Sequence, residues 1–258
     1  MPMNTPATRN LDALMISEAN EAIRFARGSF LKGVSFDVEI GGSRQTGVSF
    51  DPDSGKSFLS IHLEDPLASR LMPTVKSWRD AWILILAHES GHLRLNSICQ
   101  ANGHDPDEPD AQLIAMGIDQ NNWSSAMTDS QKESAIESFC DICLAQTAIK
   151  FLGDRWRAPV EALRDQRAKT SRELGFLKSD EYATAPALDA FLDCDGKMEP
   201  RVGATIALDV LLLNTSGLKK AAIASAIALA GLKDGLREKI KRWRGGRPSS
   251  ERNPQRPP

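Results

Sequence analysis

A chain of 258 residues is one large domain or two small ones, and it can bury a sizeable core without disulfides or structural metals. A formal net charge of −2 and a pI near 6.1 exclude the global basic field that nucleic-acid binding uses, so no nucleic-acid partner is expected. With 41% hydrophobic and 26% charged residues the composition is that of an ordinary globular protein, and no apolar run reaches the ~18 residues that a membrane span needs.

The N-terminal stretch lacks a basic segment followed by a long apolar run, so no signal peptide is predicted. Four cysteines, Cys99, Cys140, Cys143 and Cys194, then read as reduced thiols in a cytoplasmic protein, and the Asn122-Trp123-Ser124 sequon as a coincidence.

Residues 10 to 28 carry Leu11, Leu14, Met15, Ala19, Ala22, Ile23 and Ala26 at three- and four-residue intervals, which predicts an amphipathic helix. From Gly33 the period changes to two. Three short runs, 33–40, 45–50 and 57–63, are separated by Gly41-Gly42-Ser43-Arg44 and by the turn-forming 51–56, and the expectation is an antiparallel meander. An edge strand of such a sheet could take an extended peptide. His62, at the end of the third run, is expected on the surface or packed rather than on a metal.

The segment 77–98 holds the pattern that names a chemistry, His88-Glu89-Ser90-Gly91-His92. On a helix, positions i and i+4 share a face, so His88 and His92 present two imidazoles to one point, while Glu89 projects beside it as a general base. Ser77-Trp78-Arg79-Asp80 has capping-box spacing, and Ala81–Ala87 is apolar all round, as a buried helix should be. A chance H-E-x-x-H is expected in roughly one such chain in a few hundred. The following 99–112 reads as a solvated acidic loop, with His104 inside it.

A second helix is predicted over 130–153, opened by Ser130-Gln131-Lys132-Glu133 and closed by Gly153. On it Glu137 and Asp141 share a face, so Glu137 can be a third metal ligand and Asp141 can orient a ligating histidine. The Cys140/Cys143 pair within this helix reads as buried small residues. Beyond it, 154–174 is helical and charged, Tyr182 lies in a looser segment, and two apolar helices over 201–243 are expected to pack on the core rather than make an oligomer contact. Tyr182 and Arg201 are candidates for stabilising an oxyanion.

H-E-x-x-H followed by Glu137-Ser138-Phe139-Cys140-Asp141 resembles the gluzincin metallopeptidases, whose HtpX and CaaX prenyl-protease type carries E-x-x-A-D on the second helix. Ala87-His88-Glu89-Ser90-Gly91-His92 also looks like the start of the regulatory ImmA/IrrE-like peptidases, although 44 residues lie between His92 and Glu137 here. The resemblance covers about 77–153 and departs from the membrane members in lacking spanning helices. It implies His88, His92 and Glu137 as ligands of one Zn2+ per chain, Glu89 as base and Asp141 as the orienting carboxylate.

The expected fold is α+β, a mostly helical zincin-like core over 1–153, a helical part over 154–243 and a disordered basic tail over 244–258. The expected function is a zinc metallopeptidase acting on a protein or peptide substrate. The alternative is a zincin-fold binding or regulatory module without catalysis.

Overall fold

The computed structural model describes residues 6–42, 46–118, 127–174 and 184–216. Tyr182, the second apolar helix expected after 216, the tail and the Asn122 sequon lie outside them. Helix α1 (Pro6–Gly28) is followed by strands β1 (Asp37–Ile40), β2 (Gly47–Asp51) and β3 (Lys56–Ile61). Then come α2 (Pro66–Val75), α3 (Trp78–Ala101), α4 (Pro109–Ala115), α5 (Asp129–Leu152), α6 (Arg157–Leu174), α7 (Ala185–Asp193) and α8 (Pro200–Ser216).

Helix α3 is central because its sequence leaves it no other place. Ala81 to Ala87 are all at most 2% exposed, so apolar side chains leave in every direction and need neighbours on every side. Helix α1 packs on one flank with Ala19, Ala22 and Ala26, whose small side chains let two backbones approach, and α2, α5 and the sheet cover the others. Leu14 does not join this face. It is half exposed, because the predicted stripe is wider than the strip α3 can cover.

The sheet is mixed, not an antiparallel meander. Its order is β1-β3-β2, with β1 parallel and β2 antiparallel to β3. The period-2 pattern is the same in either arrangement, and burial decides between them. Strand β3 alternates buried Ser57, Leu59 and Ile61 with partly covered residues, so it takes the central place, leaving the less buried β1 and β2 as edges. The 51–56 turn is a hairpin as predicted, with Gly55 at φ +65° and the Asp51 carboxylate accepting from the Asp53 N–H and the Ser54 hydroxyl.

Three helix ends set the site. The Asp65 carboxylate accepts the N–H groups of Leu67 and Ala68 at 2.7 and 3.0 Å, fixing the start of α2. Ser77 caps α3, its hydroxyl accepting from the Asp80 N–H. Helix α5 starts before the predicted Ser130 box. Thr128 is the cap and Gln131 its reciprocal partner, a stronger box because both bonds form there. Within the acidic stretch read as a loop, residues 109–115 form α4, tied to α5 by Lys132, which reaches Asp110 and Asp129 at 3.1 Å each. None of the described helices is long and apolar enough to cross a membrane.

Candidate metal centre

Helices α3 and α5 cross where the two motifs lie, and a glycine sets how closely. A Cβ on Gly91 would sit 2.6 Å from Cys140 Sγ and 3.0 Å from Cys140 Cα, so only glycine allows this approach. The middle of the H-E-x-x-H turn thus touches the middle of the E-x-x-x-D turn, bringing both pairs of side chains to one point.

There the Nε2 atoms of His88 and His92 lie 3.5 and 3.3 Å from the two oxygens of Glu137. One donor atom from each residue falls within a group spanning no more than 4.8 Å. A tetrahedral ion with bonds near 2.0–2.1 Å holds its ligand atoms about 3.3 Å apart, and each imidazole lies near that distance from a different one of the two Glu137 oxygens. The three residues could hold a metal ion, and a donor set of two imidazoles and one carboxylate suits zinc among several first-row metals.

Asp141 stands behind the group. It is fully buried, and its Oδ1 lies 2.9 Å from His88 Nδ1. The Arg167 guanidinium on α6 grips the same carboxylate with Nε at 3.0 Å and Nη2 at 2.8 Å, and Nη2 also donates to Glu137 Oε2 at 3.0 Å. The Thr184 hydroxyl, just before α7, donates to Asp141 Oδ2 at 2.6 Å. A buried carboxylate is tolerated when it is paired and hydrogen-bonded, and here four elements meet on one.

The charges follow from these contacts. Burial pushes the Asp141 carboxyl upward, but Arg167 and His88 outweigh it and hold it well below the usual range. The same opposition, with His92, His88 and Arg167 prevailing, brings Glu137 down to about 2. Burial works against a charged His88, yet the Asp141 contact and the charges of Glu137, Asp141 and Glu89 raise it to about 9. Burial raises Glu89, which is 6% exposed, and the nearby histidines only partly offset the rise. A carboxylate with raised proton affinity suits a general base.

The centre opens into a cleft of about 530 Å³. It is lined by His88, Glu89, His92 and Glu137, by Thr46, Gly47, Val48 and His62 of the sheet region, by the start of α2, and by Gln166, Arg167 and Thr170 on α6. Strand β2 gives Gly47 and Val48 to the lining, and its outer edge is unpaired among the described residues.

The predicted residues His88, Glu89, His92, Glu137 and Asp141 come together here. Arg201 does not. It lies on α8 beside Gly117, outside the cleft lining, and Tyr182 falls outside the described residues. Arg167 is the residue that sequence reading missed. A signal was available: it sits four residues after Leu163 and seven after Val160, both fully buried, so it is a charge on the inward stripe of α6. Thr184 has no such signal.

The chain is thus an α+β, mostly helical protein carrying a candidate two-histidine, one-carboxylate metal group. Comparison with family models, with curated proteins and with solved structures finds no match.

Proposed function

We propose that this protein is a zinc-dependent peptidase. The observation that carries the reading is the convergence of His88 and His92 Nε2 on the Glu137 carboxylate, with Glu89 lining the same cleft. A zinc ion held by these three would supply Lewis acidity toward a water and a carbonyl oxygen. Glu89 takes the proton of the attacking water and returns it to the leaving amine. Asp141 holds the His88 ring so that Nε2 faces the metal position, and Arg167 keeps both carboxylates ionised and oriented. The outer edge of β2, unpaired among the described residues, offers backbone groups to an extended chain, which favours a peptide over a compact small molecule.

The test combines metal analysis with two variants. About one zinc per chain is expected, sharply reduced in Glu137→Ala. Glu89→Gln should keep its zinc while turnover of a peptide library falls on the order of 100-fold or more. Undiminished hydrolysis in Glu89→Gln would remove the mechanism.

One observation favours a second reading, a binding module without catalysis. Arg167 already places a cation on Glu137 Oε2, and an internal guanidinium could serve in place of a metal. Protein that takes up no zinc, yet folds with this ion network intact, would support that reading and sink the first.

A further inference from the structure

The proposed peptidase needs a donor for the oxygen that gains negative charge; Arg201 lies outside the cleft lining, and Tyr182 lies outside the described residues. The side-chain nitrogen donors among the residues that line the cleft can be taken in turn. Arg167 is engaged with Asp141 and Glu137. The Gln166 side-chain amide donates to the Thr170 hydroxyl at 3.4 Å. His88 and His92 belong to the metal group.

His62 remains. It follows β3 directly, and its main chain is pinned on both sides: its N–H donates to the Thr46 hydroxyl at 3.0 Å, and its carbonyl accepts the Asp65 N–H at 3.1 Å. The residue lines the cleft that Glu89 lines and is partly exposed, and its ring carries no hydrogen bond to a described residue. A histidine so fixed in its backbone and so uncommitted in its ring is placed for a ligand rather than for the core.

We infer that the His62 imidazole donates its N–H to the carbonyl oxygen of the scissile bond and stabilises the charge that develops there. The inference rests on the peptidase reading and adds a catalytic residue to it. The donor comes from the strand wall before the H-E-x-x-H helix. That wall also offers the β2 edge to the substrate backbone, so one rigid element would align the peptide and meet its oxygen.

His62→Ala and His62→Gln are compared with wild type on one fluorogenic peptide selected from the library, with zinc content measured for all three. Affinity for a phosphinic peptide, a stable mimic of the tetrahedral anion, is measured by calorimetry. Removing one such donor costs roughly 100-fold in turnover. The expected result is that loss in kcat for His62→Ala, with KM within about threefold, full zinc, and a parallel loss of phosphinic-peptide affinity. His62→Gln, whose amide keeps an N–H near the position of Nε2, should recover at least about tenfold of both.

Turnover within about threefold of wild type in His62→Ala overturns this inference and leaves the peptidase reading standing. Loss of zinc or of the folded state in both variants also overturns it, since His62 would then be structural. A wild-type protein that binds zinc but neither cleaves the library nor binds the phosphinic peptide overturns both.

Discussion

At the scale of single residues the centre is a set of charges that exist only because they face one another. Asp141 is the case in point, since a carboxylate with no exposure is stable as an anion only with Arg167, His88 and Thr184 around it. Removing one partner of a buried ion pair costs about 3–5 kcal/mol. Arg167→Met in the metal-free protein should therefore lower stability by a loss of that order, read by urea denaturation, and Arg167→Lys should recover only part of it because a single ammonium cannot bridge both oxygens of Asp141. A loss below about 1 kcal/mol would mean that the carboxylates do not need the guanidinium. Arg167 was legible in the sequence only as a charge on an apolar stripe, whereas Asp141 was legible outright as the partner one turn from Glu137.

At the scale of elements the decisive contact is α3 against α5. Their separation is set by Gly91 and Cys140, and the ligand distances follow from it. Gly91→Ala puts a methyl into Cys140, and overpacking of this kind costs about 1–3 kcal/mol. The expected outcome is a modest drop in thermal stability with a disproportionate loss of zinc, because moving one helix by a few tenths of an ångström separates Glu137 from both imidazoles. Pairing it with Cys140→Ala should restore part of the zinc, since the sulfur is the nearest clash while the backbone contact at 3.0 Å remains. Full zinc content in Gly91→Ala would show that the helices can slide without harm. The glycine itself stands in the sequence, but what it faces does not.

At the scale of the whole molecule, pH reports on the centre. His88 rises from 6.5 to about 9 on folding, so the stability this adds is complete below pH 6.5 and is lost as pH climbs through about 9. Glu137 falls from 4.5 to about 2, so its contribution is present above 4.5 and lost as pH drops toward 2. On α8, Asp209 is buried with neither carboxylate oxygen partnered among the described residues and rises to about 7, giving a separate loss as pH climbs from about 4 to 7. A ligating His88 must be neutral, so zinc should remove the decline between pH 6.5 and 9 and leave that of Asp209 unchanged. Thermal melts of metal-free and zinc-loaded protein across this range make the comparison. An identical slope in both would exclude His88 as a ligand.

The sequence by itself determined the two central helices, the inward face of α5 and the His88, His92 and Glu137 group with Glu89 beside it, because capping and i, i+4 spacing are local and act within a turn or two of chain. Tertiary structure alone decided the order of the strands, the grip of Arg167 and Thr184 on Asp141, and which wall of the cleft holds an uncommitted histidine. These depend on contacts between residues far apart in the chain, 43 positions for Asp141 and Thr184, and on which strand can be buried on both edges. A repeating pattern of two or of 3.6 residues records that a face is buried, but not what buries it.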